Sequence, residues 1–276
     1  MKWEIIHRTE YVYASPVRES FNEVRLQPFS NESQRLENFL LKILPASRLQ
    51  HRHDFYSNTV HHFEIPEPHT TLLVESHFRV TTKLRAQLAP ADKPFALARI
   101  AEAAREPRVF DFLQESRYVD LSPETWRLAL DITANVADTW QAALAIMNFI
   151  FTQFKYVPGA TAVHTHMNEV LRERRGVCQD FAHVMLGLCR AIKIPALYVS
   201  GYLATEIASA THAWVEVLIP DIGWIALDPT HNRQIDETYV KVAVGRDYAD
   251  VAPVSGNYKG TRNRKMNVSV KIKAVD

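Results

Sequence analysis

Apolar and polar positions alternate through the first eighty-odd residues of the chain. "EIIHRTEYVY", "RLENFLLKIL", "TVHHFEI" and "TLLVESHFRVTT" are β-rich runs, and Pro, Asn and Ser turn signals separate them. This pattern predicts a small β-sandwich. The opening "MKWEIIHRTEYVYASPV" has no continuous apolar stretch, so it reads as a first strand and not as a signal peptide. No window approaches the ~18 consecutive apolar residues of a membrane helix.

At "LRAQLAPADKPF" the composition shifts toward alanine and proline, which marks a linker and places a domain boundary near residues 84 to 95. The expected units are residues 1–85 and 86–276. Beyond the linker the period becomes helical. Ser122, Pro123 and Glu124 form an N-cap, a first helical proline and a first-turn acid. Asp138 opens a second helix whose Trp140, Leu144, Met147, Phe151 and Phe154 make a core stripe. A third helix follows Gly176 and buries Phe181, Val184, Met185, Leu188 and Ile192, with Pro195 just past its end. "ALYVSGYL", "HAWVEVLI" and "GWIALDPT" then read as three strands, ahead of a loop-rich tail ending in the strand "MNVSVKIKAV". The class is α+β.

A chain of 276 residues with 47% hydrophobic content can bury a sizeable core. Its 32 basic and 31 acidic residues leave a formal charge of +1, so nothing favours nucleic acid as a partner. Lys259, Arg262, Arg264 and Lys265 form the one notable basic run, read as a solvated turn before the last strand. Cys178 and Cys189 would lie roughly 16 Å apart along one helix, beyond the ~7 Å Cα limit of a disulfide. A reducing, cytoplasmic setting is therefore expected.

"GVCQDFAH" puts Cys178 in the first turn of the third helix, where unpaired backbone N–H groups and the helix dipole favour a thiolate. Arg174 and Arg175 add positive charge, whereas Asp180 opposes it or caps the backbone. A thiolate enzyme also needs a base. His183, five positions along the helix, faces elsewhere. On the strand "HAWVEV", His212, Trp214 and Glu216 share one face, and on "GWIALD" Trp224, Ala226 and Asp228 share another. If these strands pair across "PDIG", His212 and Asp228 meet on one face only when the loop is odd, such as Pro220 to Ile222. Cys178, His212 and Asp228 would then be a nucleophile, a base and an orienting carboxylate. His231, three residues past Asp228, is the rival base and second choice.

"RRGVCQDFAHVMLGLCRAIKIPALYVSGYL" followed by "HAWVEVLIPDIGWIALDPT" resembles the core of the transglutaminase-like superfamily of cysteine enzymes. "HRTEYVYASPV", "PEPHTTLLVES", "YVPGAT" and "VAVGRDYADVAPVSG" extend the likeness to bacterial members with an N-terminal β domain. The resemblance implies a papain-like core with the cysteine helix packed on an antiparallel sheet. It implies Cys178 as nucleophile, His212 as general base and acid, and Asp228 as its orienter. It further implies acyl transfer from an amide through a thioester, and so a cysteine protease or amidohydrolase acting on a peptide or protein substrate. The backbone N–H of Cys178 is the natural first oxyanion donor, with Tyr156 a candidate second. A protein-glutamine transamidase and a non-catalytic binding module are the alternatives. No cofactor, metal or membrane partner is expected, and His164 and His166 lack the companions of a metal site. The acidic calcium loop of an EF hand is not seen, so calcium dependence is not carried over from the animal enzymes.

Overall fold

The computed structural model describes residues 1–84, 106–136, 138–204 and 211–275. Most of the expected linker, and the division at residue 85, lie outside the described residues. Five strands come first: β1 (Lys2–Val24), β2 (Gln34–Leu44), β3 (Gln50–His53), β4 (Thr59–Ile65) and β5 (His69–Thr82). The alternation in the sequence predicts four of them but stops β1 too early. That strand runs on through Ser15 and Pro16, where its register with β5 shifts between Val12 and Val17. A proline is tolerated in a strand at such an irregularity.

The second part opens with α1 (Pro107–Phe110), α2 (Pro123–Ile132), α3 (Thr139–Gln153), the two-residue β6 (Lys155–Tyr156) and α4 (Met167–Glu173). Then come β7 (Arg175–Gly176), α5 (Cys178–Ala191), β8 (Ala196–Leu203), β9 (His212–Ile219) and β10 (Gly223–Asp228). The chain continues through β11 (Arg233–Gln234), β12 (Tyr239–Gly245), α6 (Tyr248–Val251), β13 (Val254–Lys259) and β14 (Arg264–Ala274). The tail is therefore built largely of strands and not of loops. Ser122 and Asp138 cap α2 and α3 as their positions predict, accepting from the N–H groups of Thr125 and Gln141. The α3 stripe needs one correction: Trp140, Met147 and Phe154 are buried, but Phe151 is exposed and Ile150 takes the inward position.

β1 is the spine of the first sheet. Its first half pairs with β5 and β14, and its second half with β4 and β13. The antiparallel sheet curls so that its halves enclose Tyr11, Val17, Val24, Phe63, Ile65 and Leu72. The second sheet, also antiparallel, has the order β11-β10-β9-β8-β12, and α5 lies across β9 and β8. Every residue of α5 from Asp180 to Ala191 is buried, because the sheet covers one side and α2, α3 and α4 the other. A helix covered all round must be apolar all round. The exceptions are Asp180, His183 and Arg190; the Arg190 guanidinium is fully buried and donates to the carbonyls of Ala196, Gln114 and Arg246. Burial pushes it down to about 10, which still leaves it charged at neutral pH and suited to a helix C-terminus.

One continuous core joins the two sheets, with Trp3, Ile5, Phe78 and Val80 packed in the same cluster as Met185, Tyr202 and Val240. Polar contacts reinforce it. The Gln34 amide donates to the Lys241 carbonyl and accepts from the Lys241 N–H, both at 2.8 Å. Asn58 makes the same pair of bonds with Val244, again at 2.8 Å. Both amides lie against β12, the edge strand of the second sheet, and satisfy backbone groups that would otherwise lack a strand partner. No helix among the described residues is long and apolar enough to cross a membrane.

Candidate active site

Cys178 is the first residue of α5 and is partly exposed. The start of this helix is fixed by Asp180, whose Oδ2 accepts from the N–H of Val177 at 2.7 Å and from Thr161 Oγ1 at 2.6 Å. An acid at the third helical position that reaches back to the N-cap N–H is half of a capping box. Gly176 leaves the space, because a Cβ there would sit 2.6 Å from Asp180 Oδ2. Of the two roles the sequence leaves open for Asp180, the structure thus displays the cap. Burial raises its pKa, and the bonds from Thr161 and Val177 oppose that shift. The basic neighbours are engaged elsewhere. The Arg174 guanidinium stacks on Phe149 and Phe154, and Arg175 pairs with Glu173 at 2.8 Å. The positive potential at the thiol comes instead from the helix start and from His212.

The hairpin of β9 and β10 has the predicted odd loop. Gly223 pairs with Ile219 and Trp224 with Leu218, so residues 220–222 turn the chain, with Asp221 and Gly223 at positive φ. Every pair then sums to an even number, and His212 and Asp228 emerge on one face. His212 Nε2 lies 2.7 Å from Asp228 Oδ2, and both side chains are buried. This leaves the other ring nitrogen for Cys178, which is among the groups that raise the pKa of the imidazole. Trp214, next on the same face, stacks under the imidazole at 6.2 Å and 28°. The close approach of β8 and β12 around that indole requires Gly201, where a Cβ would lie 2.1 Å from the Val240 carbonyl oxygen and 2.6 Å from the indole ring.

The electrostatics of the pair follow from its surroundings. Burial alone would push the His212 pKa down, but hydrogen bonds to Asp228 and Cys178 outweigh it and raise the value to about 9. Asp228 is driven the opposite way. Burial would raise its pKa, yet bonds from His212, His231 and Tyr239 hold it well below the usual carboxylate range. Its Oδ2 accepts from Tyr239 Oη and from His231 Nδ1, each at 2.7 Å, and its Oδ1 accepts from the Thr230 N–H at 2.8 Å. The rival histidine of the sequence reading thus sits on the same carboxylate as His212, on the solvent side and half exposed.

Tyr239 has no place in the sequence reading. It opens β12, inside the stretch expected to be loop-rich, and Arg233 Nε donates to its hydroxyl at 3.0 Å. The alternation of "YVKVAVG" is the signal that marks this strand. Tyr156 lies in β6, opposite Gly176 of β7, with its ring edge-on to Phe181. Burial and then the negative charges of Cys178, Asp180 and Asp228 raise its pKa, which places the phenol in the field of the site. His183 is buried between Tyr118 and Tyr198, away from Cys178. Among the described residues, His212, Asp228 and His231 are the one group whose ligand atoms converge, within 4.8 Å of one another. The 2.7 Å separations around Asp228 Oδ2 are those of charge-assisted hydrogen bonds.

Residues 127–229 match the family model of the transglutaminase-like superfamily, and residues 3–81 match that of the bacterial transglutaminase-like N-terminal region. An uncharacterized protein of Mycobacterium leprae is 34% identical over 98% of both chains. A protein-glutamine gamma-glutamyltransferase of Pseudomonas aeruginosa is 30% identical over 55% of this chain and 28% of its own length. Among solved structures, a candidate cysteine protease from Cytophaga hutchinsonii superposes with a TM-score of 0.82 at 26% identity, covering 100% of this chain and 91% of that one. With both family models matched in order and the site residues converging as described, the chain belongs to the transglutaminase-like superfamily, with the bacterial N-terminal region ahead of its core.

Proposed function

We propose that the chain is a thiol-dependent hydrolase of a peptide, isopeptide or side-chain amide bond, acting through a thioester on Cys178. The observation that carries this reading is the convergence of Cys178, at a helix start, on an imidazole held 2.7 Å from a buried carboxylate. With its pKa near 9, His212 carries a proton at neutral pH and faces Cys178 as a cation. In acylation the Cys178 sulfur attacks the amide carbonyl, and His212 gives its proton to the leaving amine as the C–N bond breaks. The neutral imidazole then takes a proton from water, whose oxygen attacks the thioester and returns the thiolate. Asp228 keeps the ring oriented through both steps. The developing oxyanion faces the Cys178 N–H, which, as the first of its helix, has no intrahelical acceptor; Tyr156 is the second candidate donor.

Hydrolysis is preferred because the likeness to the candidate cysteine protease spans the whole chain. The match to the glutamyltransferase covers only 28% of that protein, and it supports a second reading in which an amine replaces water. Peptide cleavage and amine incorporation measured side by side separate the two. Site-resolved iodoacetamide alkylation across pH 5 to 9 tests the site itself. Cys178 is expected to react well below pH 8 while Cys189, buried and pushed up to about 12, stays inert. His212→Ala should remove that advantage. Equal reactivity of the two cysteines, or no effect of the substitution, sinks the proposal and favours a binding module.

A further inference from the structure

A cleft of about 840 Å³ lies between the curled first sheet and the catalytic part, and the mechanism above does not use it. Its walls include Tyr11, Arg117, Tyr118, His164, Tyr248 and Arg264. We infer that this cleft binds an extended, acidic segment of polypeptide, which on the reading above belongs to the substrate.

Two arginines set the charge preference. The Arg117 guanidinium lies 5.6 Å over the Tyr118 ring, and that of Arg264 lies 5.0 Å over Tyr11 and 5.6 Å over Tyr258. Among the described residues neither is paired with a carboxylate. A guanidinium stacked on an aromatic face keeps its N–H fork free for a planar oxyanion. The cleft also holds two acids. Glu23 is already bound by Arg25 at 2.9 Å and by Arg52 at 2.8 Å, so Glu64 alone opposes the free cations. The Asn22 amide nitrogen, buried in the same wall, has no acceptor either, which adds to the surplus of donors.

The backbone favours a peptide over a small anion. Val254–Asn257 of β13 line the cleft, and among the described residues β13 pairs with β1 along one side only. An open strand edge takes an extended segment by main-chain hydrogen bonds, and flanking side chains supply the selection. The cleft also borders the loop that packs on the start of α5. Val163 and His164 line it, and the Val163 carbonyl accepts from Gln179 Nε2 at 3.0 Å, one residue after Cys178. The same loop anchors Thr161 on Asp180. A segment held in the cleft thus touches the loop that braces the start of α5.

The test uses the full chain with Cys178→Ala and two labelled probes, hexaglutamate and hexaglutamine, followed by fluorescence anisotropy. Hexaglutamate should bind about tenfold or more tightly than hexaglutamine at low salt, and the preference should fall as salt screens it. Arg117→Gln and Arg264→Gln should each weaken hexaglutamate about threefold to tenfold, while Glu64→Gln strengthens it. Equal binding of the two probes overturns the inference. So does a preference that survives both arginine substitutions, or that Lys42→Gln on the distant β2 reduces equally. The two proposals fail separately: an unreactive Cys178 with intact hexaglutamate binding removes the acyl-transfer reading alone, and a reactive Cys178 with indifferent binding removes only this one.

Discussion

Two buried histidines, His183 on α5 and His212 on β9, behave in opposite ways. His183 is wholly enclosed, stacked 5.3 Å from Tyr118 and 5.2 Å from Tyr198, and its Nε2 accepts the Tyr248 N–H at 3.2 Å. Burial, with nearby Arg190 and His166 adding to it, lowers its pKa to about 3. His212 is nearly as enclosed, with Trp214 beneath it, yet its pKa rises to about 9. The difference is a carboxylate. Desolvation penalises the cation in both places, and at His212 the Asp228 carboxylate, with Cys178 adding to it, supplies the negative charge that overcomes it. One imidazole is therefore neutral, and the other holds its proton at neutral pH.

The sharpest way to break the comparison is Asp228→Asn, which should leave the burial of His212 opposed by Cys178 alone. Its titration, followed by NMR of the ring protons, should move from about 9 to below 6.5, and kcat/KM for amide cleavage should fall about 10³–10⁴-fold. A titration that stays near 9 would falsify the assignment of the shift to Asp228. The pH dependence of stability comes next, because the two histidines pull in opposite directions. His212, raised above 6.5, stabilises the fold fully below that pH and loses its contribution as pH rises through about 9. His183, depressed to about 3, destabilises the fold as pH falls below 6.5, since only the unfolded chain then takes up the proton. His7 and His61, each lowered to about 4 by burial, add to that acid limb. Asp228 contributes stability above 3.8 that is lost on further acidification. Melting temperature should peak between the two limbs, and Asp228→Asn should flatten the alkaline one.

His183→Phe probes the other side. It should cost about 1–3 kcal/mol in a denaturant melt, because the Tyr248 N–H loses its acceptor, while the pH profile of cleavage stays in place. A shift in that profile would mean that His183 takes part in the chemistry. Tyr239→Phe is the smallest change. It removes one of three donors from Asp228 Oδ2 and so returns negative charge to the His212 bond. The alkaline limb of kcat/KM should move up slightly, with less than about a tenfold loss in rate; a downward shift would contradict the role assigned to the phenol.

Much of this site is legible in the chain because it rests on local rules. A cysteine after "RRGV" lands on a helix start, and strand parity with an odd loop puts His212 and Asp228 on one face. Neither needs knowledge of distant segments. Tyr239 and the two stacked arginines escape such rules, since their roles depend on which strands lie side by side across long separations. Arg264 illustrates the point. It belongs to a basic run that reads as a solvated turn, and it is indeed exposed, but β14 returns to β1 and carries it over Tyr11. Phe151 fails for a related reason, as the width of the buried face of α3 is set by the helices packed beside it. The return of β13 and β14 to the first sheet is likewise a long-range pairing that periodicity cannot express.

The paired bonds of Gln34 and Asn58 with β12 carry a consequence for specificity. A strand edge ordinarily recognises any extended backbone, because every residue offers the same donor and acceptor. Here that indiscriminate edge is read by two side chains, each a primary amide imitating one peptide unit of a missing neighbour. The mimicry depends on a single atom at each site. Replacing the amide nitrogen with oxygen, as in Gln34→Glu or Asn58→Asp, would set a carboxylate against a carbonyl oxygen of β12. The seam between the two sheets thus works as a two-letter password, in which each letter must be an amide to match the backbone of β12, the strand that begins at Tyr239.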